Sequence, residues 1–138
     1  MEFGDFSSVE MRMLWLSIAL GLVQLLLVVI SSGLAGRSSW GVGARDVAGP
    51  PFGTIGARLE RAFKNFVETF ALFAAVVLMA NALDKHTALS AGGAELYFVA
   101  RVAYVPIYAL GIPLVRTLVW IASFAGIAMV LLAMWPGM

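Results

Sequence analysis

The sequence predicts an all-α membrane protein, a single domain over residues 1–138 built as a four-transmembrane-helix up-and-down bundle. Three observations predict it. Of the 138 residues, 62% are hydrophobic and only 12% charged, against about one quarter charged in soluble domains. Four segments, residues 13–32, 58–83, 94–110 and 114–135, have the character of spans, the third only marginally in length; about 20 helical residues cross a hydrocarbon core of about 30 Å. The last two are joined by a very short turn, which makes them antiparallel neighbours.

The first span is an uninterrupted apolar run. Its core is longer than that of a secretory leader, and Glu2, Asp5 and Glu10 make its approach acidic rather than basic, so retention is expected. A long connection follows, residues 33–57. Seven glycines and Pro50-Pro51 prevent a continuous helix there. A loop of this length in a small protein is either functional or a flexible connector, and a lid is one reading of it.

The second span opens with Arg58, Arg61, Lys64, Asn65 and Glu68, which share an arc of about 120° on one helical face. Leu59, Phe63, Phe66 and Val67 occupy the other side. A polar stripe entering a bilayer is costly and must be buried against protein, water or a ligand. Five polar side chains are too many to satisfy one another inside so thin a bundle, so an intersubunit site in a homo-oligomer is expected. After this span, Asp84, Lys85 and the single histidine, His86, form a short polar loop. His86 is expected to be solvated, and no metal site is expected.

The third span carries Tyr97, Arg101, Tyr104 and Tyr108, within an arc of about 60°. Tyr97 is placed for an aromatic belt; Tyr104 and Tyr108 read as a polar seam beside Arg101. Pro106 removes one backbone hydrogen bond and predicts a kink. Gly111-Ile112-Pro113 then ends one helix and starts the next. Axial position places Glu68 and Arg101 at comparable depth, and a buried charge needs a partner, so a structural Glu68–Arg101 ion pair is predicted. Above it, Arg37, Arg61, Lys64, Asn65 and Arg116 are expected to converge on one donor-rich cavity suited to carboxylates. Arg37 and Arg58 are equally well placed as interfacial anchors.

Charge is asymmetric along the chain. Cations concentrate between Arg37 and Lys64 while the N-terminus is acidic, which places residues 33–57 and the turn between the last two spans in the cytoplasm, with both termini outside. Cysteine is absent, excluding disulfides and a protein thiol nucleophile. Neither a Ser/His/Asp set, a metal cluster nor a phosphate-binding glycine loop is present, and nothing suggests nucleic acid. Arginine and tyrosine beside a substrate thiol lower its pKa, so thiol-dependent chemistry is the natural enzymatic reading.

Arg58-x-x-Arg61-Ala62-x-Lys64-Asn65-x-x-Glu68 resembles the second-helix signature of the MAPEG proteins, the membrane-associated proteins of eicosanoid and glutathione metabolism. Arg101-x-x-Tyr104-x-x-x-Tyr108 and Pro113-x-x-Arg116-Thr117 are supporting signals, and the compact loops are similar to those of bacterial members. The resemblance implies a homotrimer in a bacterial inner membrane. It implies glutathione as co-substrate, bound by Arg37, Arg61, Lys64, Asn65, Glu68, Tyr104 and Tyr108, with no metal. Arg116 then stabilises the thiolate, and Thr117 stands where some members have a serine hydroxyl. The implied activity is a transferase or peroxidase acting on hydrophobic electrophiles or lipid hydroperoxides. Lys64 replaces a frequent arginine, and Trp120 and Phe124 follow Arg116 where polar residues occur in family enzymes. Those departures keep open a non-catalytic lipid-binding or scaffold protein of the same fold. A small proton-coupled exporter is the weaker alternative, because the surrounding cations hold Glu68 ionised.

Overall fold

A computed structural model describes residues 8–137; Glu2 and Asp5 lie outside them. The described chain is all-helical, with α1 (Val9–Leu34), α2 (Ser38–Val42), α3 (Thr54–Ala82), α4 (Ala88–Leu110) and α5 (Pro113–Ala133). Three of the four expected spans, α1, α3 and α5, are helices long and apolar enough to cross a membrane. The fourth, α4, has the length at 23 residues but not the apolar content. Glu95, Arg101, Ser90 and three tyrosines dilute it.

Helix ends differ from expectation for local reasons. α1 starts earlier than residue 13 because Ser8 caps it, its hydroxyl accepting from the Met11 N–H at 3.3 Å. α4 starts at Ala88, not at residue 94, because Thr87 and Ser90 form a reciprocal capping box, which outweighs the low helix propensity of Gly92 and Gly93. The long connection is shorter than predicted: α1 runs to Leu34, α2 occupies part of it and α3 begins at Thr54. α4 continues through Pro106 to a left-handed Gly111 (φ 74°), and Pro113 then occupies the first turn of α5.

α3 and α4 form a shared diagonal. α1 packs on both of them from one side and α5 from the other, without α1 meeting α5. Most of the apolar core, Phe73, Val76, Val77, Ala80, Ala94, Tyr97, Ile127 and Val130, lies in the half of the bundle that holds the α3–α4 connection. There α4 and α5 cross backbone to backbone. A Cβ on Gly93 would stand 2.7 Å from the Gly126 carbonyl oxygen, and one on Gly126 would stand 2.6 Å from that of Gly93, so neither position admits a side chain without separating the helices. Outward faces are apolar, with Leu22, Leu26, Leu118, Ile121 and Leu132 exposed. On a soluble protein such a surface would aggregate; around three spans it is the lipid-facing surface of a membrane protein.

At the same closed end lies a polar cluster that the sequence reading missed. Glu10 is 1% exposed; its carboxylate accepts from the Ser90 hydroxyl and meets His86 Nδ1 at 3.2 Å. His86 is therefore not a free loop residue. It ties the α3–α4 connection to the first turn of α1. Tyr97 is likewise not a belt residue: it is fully buried, stacked on Phe73 with ring centres 3.9 Å apart, and its hydroxyl lies 3.3 Å from that of Thr69.

Candidate functional site

The opposite end of the diagonal is open and cationic. The polar stripe of α3 faces the C-terminal half of α4 and the first turn of α5. Between them lies a cavity of about 310 Å³ lined by Arg61, Lys64, Asn65, Glu68, Tyr104, Tyr108 and Arg116. A smaller recess of about 160 Å³ shares Asn65, Tyr104 and Arg116 and extends to Thr117 and Trp120. Four residues of the stripe therefore meet Tyr104 and Tyr108 of the seam, while Arg58 and Tyr97 do not line the cavity.

Tyr108 is the hub at the mouth. Arg61 Nε donates to its hydroxyl at 3.2 Å, and the Arg116 guanidinium carbon lies 4.9 Å from its ring centre. This cation–π contact fixes Arg116 without consuming its N–H donors. Deeper in, Arg101 is 1% exposed. Its guanidinium stacks on Tyr104 at 4.6 Å, and Nη1 and Nη2 both donate to the Asn65 side-chain oxygen at 3.0 Å. Its Nε, also buried, has no hydrogen-bond partner.

The expected Glu68–Arg101 ion pair is not formed. Asn65 lies one helical turn before Glu68 on the same face and takes the guanidinium, while Glu68 remains exposed at the cavity wall. Glu68 is thus a free acceptor, and the deep position falls to a neutral amide. Thr117 lines the recess, but its hydroxyl donates back to the Pro113 carbonyl at 3.1 Å. That local bond occupies its one proton.

Two arginines lie outside this cavity within one chain. Arg58 is not a surface anchor: its Nη1 donates to the Ala109 carbonyl at 3.1 Å, closing the C-terminus of α4 from α3. Gly111 lies directly beneath that guanidinium, and a Cβ there would stand 2.7 Å from it. Arg37 does not join the cavity within one chain. It stacks between Trp40 and Phe52, 4.7 and 4.3 Å from their ring centres, on the α1–α2 side.

Three cations, one carboxylate, one amide and two phenols therefore surround a space in the size range of small-molecule sites, about 300–1,000 Å³. Among the described residues there is no cluster of histidine and acidic side chains fit for a metal. Such a lining has the chemistry to suit an anion that also carries a hydrogen-bonding or cationic group for Glu68. No curated protein and no solved structure matches the chain. The sequence model of the MAPEG family matches residues 13–135, spanning every helix that lines the cavity, and the chain belongs to that family.

Proposed function

We propose that this protein binds glutathione in the α3–α4–α5 cavity and presents its thiolate to hydrophobic electrophiles or lipid hydroperoxides. One observation carries the reading: Arg61, Lys64 and Arg116 share a single cavity with Glu68 as the lone acid. Glutathione has two carboxylates, one ammonium group and a thiol. The two carboxylates match Arg61 and Lys64, with arginine making the bidentate contact and lysine a point contact. The ammonium matches Glu68, which has no intrachain ion pair to give up. Arg116, held over Tyr108 with its N–H groups unspent, then faces the sulfur. A guanidinium beside the thiol favours its ionised form. In transfer, the thiolate electron pair forms the new carbon–sulfur bond and the leaving group departs with its own pair. The exposed cavity walls and the homotrimer expected of the family make a neighbouring copy the remaining wall.

Trp120 and Phe124, stacked with ring centres 5.9 Å apart beyond Arg116, offer an apolar surface next to that sulfur position. They suit a hydrophobic acceptor, and they equally support the second reading, a lipid-binding protein without turnover, as does the occupied Thr117 hydroxyl. Titration of the purified protein with glutathione separates the two. Thermal stabilisation together with ultraviolet absorbance of the thiolate is expected. Stabilisation by lipid but not by glutathione would reject the thiol reading.

A further inference from the structure

The connection between α1 and α3 contains an ordered stack of four side chains: Phe52, Arg37, Trp40 and Arg45. The Arg37 guanidinium lies between the rings of Phe52 and Trp40, and that of Arg45 lies 5.5 Å from the Trp40 ring centre. Trp40 is held by its indole N–H, which donates to the Val47 carbonyl at 2.8 Å. Arg45 is held by two donations to the Gly41 carbonyl, at 3.0 and 2.7 Å. Gly49 closes against the stack, where a Cβ would stand 2.8 Å from the indole.

Two like charges are thus fixed on one indole ring. Neither forms an ion pair: among the described residues no arginine or lysine lies within ion-pair distance of a carboxylate. Arg37 Nε is buried without a hydrogen-bond partner. Glu60 is the one acid on the wall of the adjoining cavity, and Asp46 beside Arg45 is exposed. Two guanidiniums held on one indole with a single acid on the shared wall repel each other, and an anion in the cavities that both arginines line relieves that cost.

The surroundings specify which anion. A cavity of about 240 Å³ runs from Arg37 and Arg45 to Leu25, Val28 and Val29 of α1. A second, of about 340 Å³, shares Val29, Ser32 and the same two arginines and adds the hydroxyl-bearing Ser38. Leu25 and Val29 belong to the outward face of a helix apolar enough to span a membrane, and Arg37 follows its last turn. This is the headgroup level, where basic residues meet anionic lipid. We propose that Arg37 and Arg45, braced on Trp40, hold the phosphate of an anionic phospholipid whose acyl chains lie along Leu25 and Val29. This site is separate from the α3–α4–α5 cavity and does not depend on the chemistry proposed there.

The test is native mass spectrometry of the full-length protein released from mixed micelles containing equal amounts of phosphatidylglycerol and phosphatidylcholine. The wild-type protein is expected to retain phosphatidylglycerol preferentially. R45Q should lower that preference about fivefold, and R37Q/R45Q should abolish it, following about one interfacial lysine or arginine contribution per site. Arg45 is exposed, so R45Q alone decides the matter if the double variant fails to fold. R45Q should also leave glutathione-induced stabilisation unchanged. Equal retention of both lipids by the wild type, or an undiminished preference in R45Q, would overturn the proposal. So would inorganic phosphate that stabilises the protein in phosphatidylcholine nanodiscs as strongly as phosphatidylglycerol does, because the ligand would then be a soluble anion.

Discussion

The two ends of the α3–α4 diagonal solve the same problem, polar groups at the edge of a bilayer, in opposite ways. At the closed end, Glu10, Ser90, Thr87 and His86 satisfy one another over a tightly packed core. At the open end, Arg61, Lys64, Glu68 and Arg116 line a space with more donors than the chain itself uses. Few core side chains fill that end: beside Ala62 and Phe66 the interior is held by Arg101, Asn65 and Tyr104. The difference separates stability from recognition. Polar groups that complete each other hold helices together, and polar groups left incomplete await a ligand.

That division can be broken by substitution. The largest effect is expected from Arg116→Ala, which removes the donor facing the sulfur and should lower conjugation of a model electrophile by about 10²–10³-fold, as loss of one preorganised charge-stabilising donor does. Retention of rate in this variant would move the reactive centre elsewhere. Next is Glu10→Ala, at the closed end. It strands Ser90 and His86 and should cost about 2–3 kcal/mol in unfolding experiments, while glutathione affinity per folded molecule stays unchanged. Loss of affinity there would show that the two ends are coupled. Asn65→Ala tests the boundary between them. It deprives the buried Arg101 guanidinium of its acceptor, so a stability loss of about 1.5–2 kcal/mol should accompany weaker glutathione binding. The smallest effect is expected from Thr117→Val, within about twofold in rate, because its hydroxyl already serves the Pro113 carbonyl and replacements away from key contacts stay within about 0.5 kcal/mol. A fall approaching that of Arg116→Ala would make Thr117 a true donor to the thiolate.

Much of the open end was legible in the sequence because helical spacing encodes which side chains share a face. Arg61, Lys64, Asn65 and Glu68 needed only the 3.6-residue repeat, and so did Arg101, Tyr104 and Tyr108. What spacing does not encode is the axial offset between two helices. Three residues, about 4.5 Å of helical rise, decided between Glu68 and Asn65 as the partner of Arg101, and the amide won. The closed end was illegible for a related reason: Glu10 and His86 are 76 positions apart, and no local pattern announces their meeting. The start of α4 was hidden by the low helix propensity of Gly92 and Gly93, of which Gly93 serves the close crossing with Gly126. That Arg37 stacks on Trp40 and Phe52, outside the cavity of its own chain, depends on how the α1–α3 connection folds back, which composition alone does not reveal.

The contact between Arg58 and Gly111 has a consequence for how this sequence can vary. The guanidinium occupies the space a side chain at position 111 would need, and the left-handed backbone there already disfavours one. The backbone is the stricter of the two constraints: a flexible guanidinium can swing aside, whereas a side chain at 111 is strained whatever stands at 58. Position 111 is therefore expected to keep glycine even in a relative that has lost the arginine and closes its third long helix by another route.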